Sequence, residues 1–458
     1  MNRERKIHLT LLIFLFGFFL GTGTSLVFSA EEPSFTYLDY FHSVYQTIKF
    51  RYVEQTNAKE LFYGAIDGMI RSLDDPYSRF LGEEEYAEFN EVVTGQFVGI
   101  GIEITVKDDE VIVITPISDS PADKAGIMSG DRIVRIDDIE LDDKNLTKVL
   151  EKIKGKRDTT VKLTIEREGF TEPLEVTVTR KPIKISAVKH GVLHELPATG
   201  YIKITNFYDD THLQVRDAVN DLQNKGMRSL ILDLRNNPGG NMETCIHIAD
   251  YFLEPGKIIV TTRGRDGSGV QEEYKSQESR LFSGELLVLV NNGSASASEI
   301  LAGALKDNGR ADIAGEKTFG KALVQQIMDI EKGKTGYALT VQKYFTPSGE
   351  MIHKKGIAPD HSIAQELIPP EDRKNLGRVL NDGLISSFAQ SHPEYNESNV
   401  RSLVDFLESK QLPISKRVAS YFYKNEVELE KPSPLYDLEF DIQLKKSLQY
   451  LKDTKSSM

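Results

Sequence analysis

Two stretches of the chain carry side chains able to do covalent chemistry. In ELLVLVNNGSASASEILAGALKDNG, residues 285–309, an apolar strand runs through a polar turn with three serines into a helix that ends at Gly309. A serine at such a strand-to-helix turn is exposed at a sheet edge, and the helix N-terminus beside it favours a developing oxyanion. The same letters admit a plainer reading, because Ser296 and Glu299 spell the S-x-x-E of a capping box that needs no catalysis. Local sequence leaves the two readings even. A nucleophilic serine also needs a base. The nine histidines are scattered, none in H-E-x-x-H or another metal-ligand spacing, and no G-x-S-x-G occurs, so a histidine triad has little support. A lysine can take that role if its amine is neutral. Lys321, in GEKTFGKALVQQ at 315–326, follows Ser296 by 25 residues, after the strand-like run ADIAG and a glycine that lets the backbone approach closely. Burial disfavours its ammonium form, and moving a lysine from about 10.4 to near 7 takes roughly 4–5 kcal/mol of differential interaction.

The lysine stretch is also one letter short of a phosphate-binding loop. Gly315, Gly320 and Lys321 match G-x-x-x-x-G-K-[ST], but Ala322 stands where the magnesium-binding hydroxyl belongs. Thr318 and Phe319 add bulk with no phosphate role, and the LILD run that imitates a second nucleotide motif precedes the loop instead of following it. A base fits Lys321 better than a phosphate clamp.

The elements that must position these residues follow from periodicity and punctuation. Residues 34–92 read as helical, with Phe41, Val44, Tyr45 and Ile48 near helical spacing, until Asp74-Asp75-Pro76 breaks the pattern. Residues 93–181 change to a period of two in VIVITPI and VKLTIERE. Residues 182–365 alternate apolar strand-like runs with helical stretches, a mixed α/β pattern. Residues 366–458 are helical and polar and carry no functional motif.

Composition narrows the function classes. At 458 residues, 40% hydrophobic and 27% charged, the chain is a multi-domain globular protein, and a net charge of −13 argues against nucleic acid as a partner. The one lysine-rich stretch, RKPIKISAVKH from Arg180, reads as a solvated strand face. Arg3, Arg5 and Lys6 precede an uncharged run from Leu9 to Ala30, the pattern of an export signal; Ala30 suits a cleavage site, Phe28 does not, and the uncut run is long enough to anchor in a membrane. Cys245 is the only cysteine, so no intrachain disulfide can form, and it reads as a small core residue.

SPADKAGIMSGDRIVRIDDIEL, from Ser120, opens with an N-cap serine, Pro121 at the first helical position and Asp123 in the first turn, and Gly126 can end that helix. With GQFVGIGIEI at 95–104 it resembles a PDZ domain. That resemblance assigns the amides around Gly99, Ile100 and Gly101 to a terminal carboxylate, and the strand from Ile102 to pairing with an incoming peptide.

The serine and lysine stretches, with ILDLRNNPGG at 231–240 and YFTPSGEMIHKKGIAPD at 344–360, resemble the C-terminal processing peptidases, or tail-specific proteases, over roughly residues 35–365. The resemblance implies an α/β (α+β) multi-domain protein with a crotonase-like protease core, a PDZ domain and helical N- and C-terminal regions. It makes Ser296 the nucleophile, Lys321 the general base and Gln325 the residue that orients it, with the amides of Gly239, Gly240 and Ala297 as oxyanion hole and no metal or cofactor. Asp233 and Arg235 are expected as a structural pair holding the glycine turn, and Asp307 as structural. Substrates would be unfolded chains or C-terminal tails, the PDZ domain would gate the active site, and the helical termini could form a homodimer or a lid. A non-catalytic PDZ scaffold at the membrane and, less readily, a P-loop nucleotide hydrolase are the alternatives.

Overall fold

The computed structural model describes residues 34–107, 110–141, 145–265, 271–365 and 368–456. The run at 9–30 lies outside them, and among the described residues no helix is long and apolar enough to cross a membrane. The chain divides into two units, 1–74 and 75–458.

In the first unit, helix Ser34–Arg51 and helix Ala58–Arg71 meet through rings: the Phe62 centroid lies 4.8 Å from Tyr45 and 6.2 Å from Phe41. Asn57 caps the second helix by accepting the Lys59 N–H at 3.0 Å.

The second unit opens with a departure from the helical expectation for 34–92. Arg79–Leu81 is a strand, paired antiparallel with Thr335–Phe345 so that Leu81 lies opposite Gly336. Three residues are too few to show a period; the distant partner strand decides their conformation. Helix Glu83–Thr94 follows and ends at Gly95, which adopts φ 65°.

The PDZ-like segment is a six-stranded sheet with its own buried core, including Val113, Ile133, Leu163 and Ile165, and helix Leu146–Ile153 packs on it through Val149 and Ile153. Strand Gln96–Gly99 pairs with Lys181–Lys184 where the segment joins the rest. The expectation of a solvated basic face from Arg180 fails at its first residue. Arg180 is buried, and its guanidinium donates to the carbonyls of Ile153, Lys152 and Thr160 at 2.8, 2.9 and 2.6 Å. A cation at a helix C-terminus satisfies carbonyls that the helix itself leaves open.

The serine turn and the NNPGG turn follow strands of a six-stranded sheet ordered Val188–Val192, Thr199–Ile204, Ser229–Asp233, Glu285–Val290, Asp312–Gly315, His361–Ser362, parallel from the second strand onward. SLILD and ELLVLV are near-continuous apolar runs because both faces of the sheet are covered. Leu230, Leu232, Leu286, Val288 and Val290 join the core that includes helices Thr211–Asn224, Met242–Asp250 and Ala297–Asp307. The alternate residues, Ile231, Leu287 and Leu289, face Leu444, Leu448 and Leu451 of helix Ile442–Ser456. Those leucines recur at the i, i+4, i+7 spacing of one helix face. Part of the 366–458 region is therefore a layer of the core, while its preceding helices pack around Leu403, Leu407, Val418 and Tyr423.

Candidate active site

In a parallel sheet, neighbouring strands end on the same edge, and the turns beyond their C-termini are the usual place for chemistry. Ser229–Asp233 and Glu285–Val290 are such neighbours, with Asp233 opposite Leu289, so the NNPGG turn and the serine turn emerge side by side. Asn237 joins them: its carbonyl accepts the Ala295 N–H at 3.0 Å and the Ser298 hydroxyl at 2.9 Å, and its side-chain nitrogen donates to the Ile204 carbonyl at 2.9 Å. Gly239 has φ 106°, and a Cβ there would lie 2.8 Å from the Ala295 oxygen and 2.8 Å from the Ser296 Cβ. Only glycine admits that approach.

Ser296 itself has φ 54° and ψ −114°, outside the conformations a side-chain-bearing residue adopts readily, immediately before helix Ala297–Asp307. The Glu299 carboxylate accepts the Ser296 N–H at 2.9 Å, but it does more than cap a helix. It is fully buried and also accepts the Lys321 N–H at 2.8 Å, the Gly320 N–H at 2.7 Å and the Thr318 hydroxyl at 2.5 Å. One carboxylate thus holds the backbones of both Ser296 and Lys321. Tyr344, buried, adds a second tie, its one hydroxyl proton shared between the carbonyls of Lys321, at 2.5 Å, and Ser296, at 3.1 Å.

After Lys321 the chain forms strand Leu323–Glu331, where a phosphate-binding loop would lead into a helix, and this removes the nucleotide alternative. Lys321 instead stands two residues before that strand, and its amine donates to the Oε1 of Gln325 on the strand at 3.0 Å. The Gln325 amide nitrogen donates to the Tyr77 carbonyl, which fixes which end of the amide faces the lysine. The amine lies 4.7 Å from the centre of the Tyr77 ring. Burial pushes the Lys321 amine below the ordinary lysine value, and the Asp75 carboxylate pulls against it. Burial alone would raise the Asp75 carboxyl; bonds from the Ser78 hydroxyl and the Tyr77 N–H, with the Lys321 charge, bring it below its usual range.

Ser296, Lys321, Gln325, Gly239, Gly240 and Ala297 all line one cavity of about 460 Å³. Phe89, Val93, Met242, Ile300 and Ile327 give it an apolar wall. Ala297 opens its helix, so its N–H has no intrahelical acceptor, whereas the Gly239 N–H is donated to the Asn237 Oδ1 at 2.9 Å. The PDZ residues lie in a separate cavity of about 490 Å³, where Gly99, Ile100, Gly101 and Ile102 face Leu150 and Ile153. The Ile100 side chain is buried in the PDZ core and anchors the loop, and Gly101, at φ 80°, passes so near Ser120 that a Cβ would lie 2.4 Å from the serine's. Glu91, beside this cavity, pairs with Lys154 at 3.0 Å.

Asp233 and Arg235 do pair, as expected, and Asp307 accepts the Ser348 N–H at 2.9 Å on the surface. Cys245 is fully buried, which pushes its thiol up, and it donates to the Ala297 carbonyl at 3.1 Å. Sequence reasoning missed Asp75, Tyr77, Asn237, Tyr344 and the second task of Glu299. The D-D-P break at 74–76 and the N-N-P-G-G turn pointed at three of these places; nothing local marks Tyr344.

Comparison with known proteins bears on what this geometry serves. A family model described as Peptidase family S41 matches residues 198–363, one described as PDZ domain matches 98–178, and one described as Activating protease CtpB N-terminal domain matches 27–85. The carboxy-terminal processing protease CtpA of Bacillus subtilis is 37% identical over 340 residues, 74% of this chain and 72% of its own length. The carboxy-terminal-processing protease of Bartonella bacilliformis is 34% identical over 392 residues, 84% of this chain and 88% of its own. Among solved structures, the photosystem II D1 C-terminal processing protease is 32% identical, covering 72% of this chain and 93% of its own with a TM-score of 0.43. Relatives matched along most of both chains show that this protein belongs to peptidase family S41, as a carboxy-terminal processing serine protease with a PDZ domain.

Proposed function

We propose that the protein is an exported, ATP-independent endopeptidase that takes the free C-terminus of an unfolded chain at its PDZ loop and cleaves through an acyl-enzyme. Lys321 removes the Ser296 hydroxyl proton as the oxygen attacks the scissile carbonyl carbon. The tetrahedral oxyanion is received by the Ala297 N–H and an amide of the Gly239–Gly240 turn. Collapse breaks the C–N bond, and Lys321 returns the proton to the leaving amine. Water, deprotonated by the same amine, then opens the ester and restores Ser296. Gln325 holds the amine in line throughout. Use of the Gly239 N–H needs the turn to release it from Asn237.

The observation that carries this reading is the half-buried Lys321 amine, bonded to Gln325, in the same cavity as a strained Ser296 whose backbone shares one carboxylate with the lysine's. The PDZ cavity, with its glycine loop and apolar floor, supports recognition of a chain end, and the basic and apolar run at 3–30 supports export. Digestion of casein by wild type, Ser296→Ala, Lys321→Ala and Gln325→Ala tests the assignment. Ser296→Ala and Lys321→Ala should each lose at least about 10³-fold in kcat, and Gln325→Ala less. Full cleavage by folded Ser296→Ala would refute it. A substrate amidated at its C-terminus should bind the PDZ loop more weakly than the free acid.

A further inference from the structure

Arg235 stands where strand Ser229–Asp233 gives way to the glycine turn, and its guanidinium has two carboxylate partners. Asp233 lies two residues earlier on the same strand: its Oδ2 takes an Arg235 amine at 2.6 Å, its Oδ1 takes the Arg235 Nε and backbone N–H, both at 2.9 Å, and the Tyr201 hydroxyl donates to it at 2.6 Å. Through Tyr201, on the neighbouring strand, Asp233 ties Arg235 to the sheet from which it already emerges. The tie beyond that sheet comes from Asp441, 206 residues away, whose two oxygens accept both terminal Arg235 nitrogens at 2.7 Å each. Gln443 adds a bond at 3.2 Å and is itself held by the Ile363 carbonyl at 2.8 Å. The Arg235 side chain is 10% exposed and that of Asp441 20%, so water offers little substitute for either. From Arg235 the chain passes through Asn236, at φ 58°, and Asn237 to Gly239 and Gly240.

We propose that Asp441, on the turn into helix Ile442–Ser456, is a positioning residue for catalysis: its bidentate grip on Arg235 fixes the turn that presents the Gly239 and Gly240 amides to the reacting carbonyl. This rests on the acyl-enzyme reading above. It gives a task in the reaction to the 366–458 region, which bears no motif of its own.

The test separates this task from simple support of the helix. Asp441 also accepts the Leu444 N–H at 2.8 Å, capping that helix, and asparagine caps as well as aspartate does. Asp441→Asn in the full chain therefore removes the charge and one acceptor oxygen while keeping the cap. The expected result is a fall in kcat of about 10- to 100-fold with KM within about 2-fold, since misplacing an oxyanion donor costs less than deleting one, which costs about 10²–10³. Inhibition by a peptide boronate, whose tetrahedral adduct uses the oxyanion hole, should weaken by the same factor, and Asp441→Glu should recover most of the loss. Arg235→Lys, which keeps the positive charge but cannot take a carboxylate through two bonds, should reproduce the kcat loss and decides the matter if Asp441→Asn does not fold. Wild-type kcat in a folded Asp441→Asn or Arg235→Lys protein, or a rise in KM with kcat unchanged, overturns the proposal. Ser296→Ala measured alongside keeps the two questions apart. If it still cleaves, the acyl-enzyme reading fails; if it is inert while Asp441→Asn is fully active, only the role of Asp441 falls.

Discussion

The catalytic cavity and the PDZ cavity both depend on glycines at positive φ, Gly239 and Gly240 in one and Gly101 in the other, yet they are held by different means. Around the serine, buried polar side chains tie separate elements to one another: Glu299 spans two turns, Asn237 two strand ends, Tyr344 the two backbones that carry Ser296 and Lys321. Around the PDZ loop, the Gly101 carbonyl takes the Ile117 N–H at 2.9 Å and the Ser120 hydroxyl at 3.0 Å, the Ile100 carbonyl takes the Ala122 N–H at 2.9 Å, and the buried core side chains are apolar and come from the PDZ segment itself. Chemistry needs atoms fixed to a fraction of an ångström, so the first site is bonded from outside its own strands. Peptide capture needs an open edge and a few amides, so the second site is a local fold.

Breaking the serine-side ties should have the largest effect. Glu299→Gln replaces an acceptor oxygen by an amide nitrogen facing donors, which should cost about 3 kcal/mol of stability and at least about 10²-fold in kcat, read by thermal melting and by turnover of an unfolded substrate. Activity near wild type in that variant would mean that the shared carboxylate is not what aligns serine and lysine. A change on the PDZ side should act on binding instead. Gly101→Val puts a β-branched residue at φ 80° against Ser120 and should weaken capture of a free C-terminal peptide by about 10-fold or more, while cleavage of a short peptide that bypasses the loop keeps its kcat. Equal loss on both substrates would erase the distinction between the sites. The smallest effect is a shift in pH dependence. Burial lowers the titration of the Lys321 amine and Asp75 raises it; on the proposed mechanism only the neutral amine takes the serine proton, so activity should climb as pH rises through that value. Asp75→Asn removes the opposing influence and should move the acid limb of kcat/KM to lower pH. An acid limb that stays put or moves upward would show that this limb does not report Lys321.

Much of this was legible in the letters, for reasons that can be named. The serine turn and the glycine turn each follow a near-continuous apolar run of strand length, and the two runs are neighbouring parallel strands, so their ends emerge together at one sheet edge. The short helix from Ser120 carries its own start and stop signals, and the structure has Ser120 accepting the Asp123 N–H at 3.2 Å. What stayed hidden is non-local. Arg180 looked like a surface cation because nothing nearby shows that its guanidinium reaches the end of a helix some 27 residues earlier in the chain. Arg79–Leu81 has no period to read, and its partner lies beyond residue 335. The leucines at 444, 448 and 451 do mark an apolar stripe, but a stripe does not say which surface it covers.

The reach of Asp441 back to Arg235 also bears on how the enzyme comes into being. A chain made from its N-terminus lays down serine, lysine and glycine turn long before Ile442–Ser456 exists, and until then one side of the sheet is bare and the Arg235 clamp is open. On the role proposed for Asp441, a nascent copy carries its serine and lysine before it carries the tie that sets the glycine turn, so the last helix to be made is also the one that completes the site.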